Sequence, residues 1–221
     1  MSLMDEEIKK NVVFELYKDN RVDASNVSVE VNNGEVTLQG ELPTYYAFTA
    51  AYNNTLKISG VTGVNNQLKV RYPVGTAMPT DAELLSAIES KLFRNPDINI
   101  ADLNIQVQAG EVVLKGTVDA YWKKVHAEKL ASSEPGVVVI KNHLAIVPTR
   151  DFVDQDIAED IIRALESRSV VSANNINVKV SNGEVTLSGT VPDWSARQAA
   201  YESAAFTSGV VNVENNITIS S

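Results

Sequence analysis

Two histidines, His126 and His143, are the only imidazoles among 221 residues, and there is no cysteine. A metal centre needs several such ligands at close spacing. These two stand 17 residues apart with no thiol or third imidazole to complete a set. No G-x-S-x-G, P-loop or G-x-G-x-x-G run occurs, so nucleophilic and phosphate-cradling chemistry has no written motif either. The acidic stretch "DFVDQDIAED" at 151–160 lacks the turn glycine and closing glutamate of a calcium loop, and suits the start of a helix instead. The Asn-x-Ser/Thr triplets at Asn26, Asn53 and Asn216 are what chance supplies in an asparagine-rich chain. No catalytic residue, metal or cofactor is assigned, and an enzyme is not expected.

Non-covalent chemistry is better represented. Tyr121 and Trp122 are followed by Lys123, Lys124, His126 and Lys129, the one dense basic patch in the chain. Amphipathic aromatics beside cations suit the headgroup boundary of an anionic phospholipid. The plainer alternative is that the aromatics pack on the core and the lysines form a solvated face. The aromatic slot recurs: five residues beyond Gly40, Gly116 and Gly189 stand Tyr45, Tyr121 and Trp194, and Tyr46 follows the first as Trp122 follows the second.

Net charge limits the partners. At −9 the chain has no general basic face for nucleic acid, and its bulk field repels anionic membranes, so lipid contact requires a local patch. Residues 4–72 and 80–148 each carry seven basic and nine acidic groups, whereas 149–221 carry five and ten. The last segment is therefore the least suited to anionic lipid. No apolar run reaches the 18–20 residues or so of a membrane-spanning helix. The opening "MSLMDEEIKKN" lacks the basic flank and apolar stretch of a signal peptide. If Met4 is the native start, a cytoplasmic location is expected; a trimmed leader would point to the envelope.

The elements that position these residues are written three times. "NNGEVTLQG" at 32–40 returns as "QAGEVVLKG" at 108–116 and "SNGEVTLSG" at 181–189. Ile8, Leu84 and Ile157 each precede the hairpin glycines Gly34, Gly110 and Gly183 by 26 residues, and Gly60, Gly136 and Gly209 follow by 26. Length differences fall in the connectors "YPVGTAMP" (72–79) and "PTRDFV" (148–153), which read as linkers.

Ile8, Val12 and Leu16, with Leu84, Ile88, Leu92 and Ile157, Ile161, Leu165, form the stripe of an amphipathic helix. Period two follows in Val27, Val29, Val31, in Leu103, Ile105, Val107 and in Ile176, Val178, Val180. Asn33-Gly34 and Asn182-Gly183 favour a two-residue hairpin turn, where Ala109-Gly110 keeps only the glycine. An alanine-rich second helix opens near Thr44, Ala120 and Asp193 and is expected to end at Gly60, Gly136 and Gly209. A helical crossover before the last strand implies parallel pairing there. The predicted fold is α+β: three tandem αββαβ units at 4–72, 79–148 and 152–221, each a three-stranded mixed sheet with two helices on one face. A unit of about 65 residues is marginal alone, so the copies are expected to lean on one another.

The unit "G-E-V-T-L-x-G", followed by "GVTGVNN" (60–66), "GVVVIKN" (136–142) and "GVVNVEN" (209–215), resembles the BON domain. The resemblance implies a non-catalytic bacterial module linked to the periplasm or cell envelope, to osmotic stress and to phospholipid binding, and one that accompanies channels, secretins and haemolysin-like proteins. It brings no catalytic residues with it. The partners it leads us to expect are anionic phospholipid or a membrane surface, with a protein partner or self-association as the alternative, the latter through free strand edges or helix faces.

Overall fold

The computed structural model describes residues 3–72, 75, 77–168 and 175–220. Residues 73, 74 and 76 of the first connector lie outside the described residues. The first copy runs α1 (Leu3–Lys18), β1 (Val27–Asn32), β2 (Glu35–Leu42), α2 (Tyr45–Leu56) and β3 (Gly63–Val70). The second runs α3 (Asp81–Phe93), β4 (Leu103–Gln108), β5 (Glu111–Val118), α4 (Tyr121–Ser132) and β6 (Val139–Ile146). The third runs α5 (Asp154–Glu166), β7 (Ile176–Ser181), β8 (Glu184–Val191), α6 (Trp194–Ala205) and β9 (Asn212–Ile219). Each copy has its own three-stranded sheet, in the order β1-β2-β3, β4-β5-β6 and β7-β8-β9. The expected three α+β units are what the chain forms.

In the first sheet β1 pairs antiparallel with β2, Val31 opposite Val36, and β2 pairs parallel with β3, Leu38 opposite Asn66. The third repeats this, with Val180 opposite Val185 and Leu187 opposite Asn215. The parallel pairing is the consequence of the helical crossover: α2 and α6 carry the chain back to the starting edge.

Contacts group the chain into two compact units: Met1–Arg94 with Ile105–Val113 and Lys129–Lys141, and Asn95–Asn104 with Leu114–Glu128 and Asn142–Ser221. In the first unit Ile8, Val12 and Leu16 of α1 meet Val36, Leu38 and Leu42 of β2 and the alanines Ala47, Ala50 and Ala51 of α2 in one core. Small side chains let α2 lie close on the sheet. The Tyr72 hydroxyl also ties into this unit, accepting from the Gly136 amide at 2.7 Å and donating to the Val137 carbonyl at 3.2 Å. In the second unit Ile157, Ile161 and Leu165 of α5 pack with Val185, Leu187, Ala199 and Ala200, and Tyr121 packs against that core.

The acidic residues at the helix starts do more than complement a dipole. Asp81 accepts from the amides of Ala109 (2.8 Å) and Gly110 (3.1 Å), and Asp154 from those of Asn182 (2.8 Å) and Gly183 (2.9 Å). Asp5, buried, accepts from Gly34 at 3.1 Å. Each carboxylate clamps its own hairpin turn to the first helix. The glycines expected to cap the second helix sit further on. α2, α4 and α6 end at Leu56, Ser132 and Ala205, four residues before Gly60, Gly136 and Gly209. The intervening residues form a further bend, which the Thr62, Val138 and Val211 amides tie to the Gly34, Gly110 and Gly183 carbonyls.

All three hairpins use positive φ before the glycine: 50° at Asn33, 50° at Ala109 and 53° at Asn182. Asparagine tolerates that region and alanine resists it. Ala109→Asn is therefore expected to stabilise the middle copy by about 1 kcal/mol, raising its melting temperature by about 4–8 °C. A thermal melt with no gain would count against the strain.

Candidate functional site

The α4 helix starts where Ala120 offers its carbonyl to the Lys123 and Lys124 amides. No side chain caps it in the way Thr44 caps α2 and Asp193 caps α6. The first turn therefore presents Tyr121, Trp122, Lys123 and Lys124, all half-buried, with Lys129 exposed beyond them.

The structure puts these residues to different uses. The Tyr121 hydroxyl lies 3.2 Å from that of Tyr201 on α6. Burial first, and the bond from Tyr121 second, push the Tyr201 phenol well above its ordinary value. The Trp122 ring stacks on Phe206 with centroids 6.4 Å apart and leans on His126 at 6.1 Å. Lys123 is neutralised by Asp119 at 2.8 Å, one turn earlier, while its ammonium stands 5.7 Å from the Trp122 ring centre. His126 Nε2 sits 2.9 Å from Asn95 Nδ2.

Lys124 and Lys129 make no ion pair among the described residues. The Lys124 carbonyl accepts from Asn142, which also donates to Glu128. The patch therefore contains two unpaired cations next to a tryptophan whose ring is partly covered.

The other aromatic slots differ. Tyr45 stacks on Phe48 at 5.6 Å, the Arg21 guanidinium stands 5.6 Å from the Tyr46 ring centre, and that of Arg197 stands 4.9 Å from Trp194. His143 is exposed on β6, away from His126 on α4. No group of three His, Cys, Asp or Glu among the described residues could hold a metal. In the acidic run, Asp154 holds the hairpin, Asp160 pairs with Arg163 and Glu159 accepts from Gln155. No helix among the described residues is long and apolar enough to cross a membrane.

The sequence reading missed Asp119, Tyr201 and Phe206. Only the first had a local signal, because Asp119 stands four residues before Lys123.

The BON domain pattern matches residues 4–72, 80–148 and 153–221. The chain belongs to the BON domain family. A 21 kDa hemolysin of Actinobacillus pleuropneumoniae is 30% identical over 126 residues, covering 56% of this chain and 65% of that protein. Osmotically-inducible protein Y of Escherichia coli K12 is 27% identical over 143 residues, covering 63% of this chain and 71% of that protein. The chain thus spans just under two thirds of the hemolysin and somewhat more of the second relative. Among solved structures, the C-terminal domain of CdsD, a structural protein of the type III secretion system of Chlamydia trachomatis, covers 96% of this chain at 15% identity. Its TM-score of 0.27 is too low to carry an argument. The three BON copies account for both the repeat and its glycines. Gly34, Gly40, Gly60 and their counterparts Gly110, Gly116, Gly136 and Gly183, Gly189, Gly209 all take positive φ. They are structural turn residues rather than a ligand site.

Proposed function

We propose that this BON protein is a non-catalytic docking protein that meets an anionic phospholipid surface through α4, in the setting of osmotic or envelope stress. The observation that carries the reading is the pair of unpaired cations, Lys124 and Lys129, beside Trp122 in a chain whose bulk charge is −9. Only a local patch can overcome that field. The osmotic induction named in one relative and the hemolysin named in the other support a membrane setting.

Co-sedimentation with phosphatidylglycerol-containing and purely zwitterionic vesicles tests it. Wild-type protein is expected to bind the anionic vesicles alone, and less as salt rises. Near an anionic surface each lysine contributes about 1 kcal/mol, so Lys124→Glu with Lys129→Glu is expected to weaken binding about thirtyfold or more. Lys123→Glu has a smaller effect, because Asp119 already neutralises that side chain. Equal binding by wild type and the double variant, or equal binding to neutral vesicles, removes the proposal.

A further inference from the structure

The contact between α4 and α6 has a head and a tail. Its head is the first turn of α4, with Tyr121 and Trp122; its tail is the second half of α6 and the residue after it, with Tyr201 and Phe206. Because the two patches differ, the junction is heterologous. Repeating such a junction leaves an unused head at one end of the array and an unused tail at the other.

The corresponding positions can be read from the repeat. The counterparts of Tyr121 and Trp122, 73 residues on, are Trp194 and Ser195 at the start of α6. The counterparts of Tyr201 and Phe206, 149 residues back, are Tyr52 and Lys57 at the end of α2. Trp194 and Tyr52 are half-exposed, and Ser195 and Lys57 are exposed. The two sets match chemically. Aromatic would meet aromatic in Trp194 with Tyr52, as Tyr121 meets Tyr201. Polar would meet polar in Ser195 with Lys57, where the internal junction has Trp122 against Phe206.

We infer that a second copy of this chain docks here, the α6 head of one chain seating on the α2 tail of the next. The occupant is a second copy because the same interface is already formed once inside the chain, and the outer positions continue it. The contact is weaker than the internal one, having one aromatic pair in place of two, and it needs no lipid. Like charges on the two chains oppose it, so it strengthens as salt screens them, opposite to the lipid binding proposed above.

Sedimentation velocity of the full chain without lipid, over a concentration series at two salt levels, tests this. Wild type is expected to move from monomer toward dimer and longer species. Trp194→Glu and Tyr52→Glu variants, with folding checked by far-UV circular dichroism, are each expected to stay monomeric. Their equimolar mixture regains a 1:1 dimer, because each keeps the half the other has lost. Lys57→Phe with Ser195→Trp copies the Trp122–Phe206 stack into the outer junction and is expected to tighten association about tenfold. Three results overturn the proposal. The first is wild type and the Lys57→Phe, Ser195→Trp variant both monomeric throughout. The second is single variants that associate like wild type, and the third is a mixture that stays monomeric while wild type dimerises. Association seen only on vesicles overturns it too.

Discussion

Gly40→Ala is expected to unfold the first copy at temperatures where the native chain stays folded. Gly40 lies in β2 opposite Val27 with φ at 131°, and a Cβ there would stand 1.9 Å from the Asn26 carbonyl oxygen. That oxygen belongs to the backbone just before β1, so it cannot swing aside as a side-chain tip would. The strained φ costs about 1–3 kcal/mol and the forced displacement about 1–3 more, together about 4 kcal/mol. A small domain holds only some 5–15 kcal/mol in all, so the melting temperature of this copy should fall by about 15–25 °C. The same close approach recurs at Gly116 and Gly189, at 2.1 Å from Asp102 O and 2.0 Å from Asn175 O. A drop of less than about 5 °C would show that the strand can shift and that the glycine is not needed.

The second large loss is expected from Ile161→Ala. Ile161 is fully buried at the centre of the α5 stripe, between Ile157 and Leu165, and its core neighbours include Val185 and Leu187. Its surroundings cannot collapse into the space left behind, because α6 already contributes alanines there: Ala196, Ala199, Ala200 and Ala204. The loss is about 3–4 kcal/mol, against about 1 kcal/mol for Ile161→Val. Urea titration should show the midpoint dropping steeply for alanine and slightly for valine, with the slope unchanged. Equal small losses would mean that the core is loosely packed.

The repeat and the fold were legible because turn chemistry and periodicity are local. Asn33-Gly34 encodes its own positive φ values, and a stripe such as Ile157, Ile161 and Leu165 encodes its own buried face. The aspartate clamps were less legible, since a carboxylate at a helix start already has a dipole explanation. Their signal lay in constant spacing, Asp5, Asp81 and Asp154 each 29 residues before the hairpin glycine. Least legible was the fate of the α4 patch. Tyr121 and Trp122 meet Tyr201 and Phe206, some 80 residues away, and no local pattern records such a contact. Composition shows the lysines, but only the structure separates Lys123, paired with Asp119, from Lys124 and Lys129.

The most direct test is an amide and side-chain NMR titration of the full chain with anionic nanodiscs, repeated with neutral ones. The account predicts salt-sensitive changes gathered on α4, from Trp122 to Lys129, with anionic discs alone. Changes gathered instead around His143, or a spectrum indifferent to lipid charge, would contradict it.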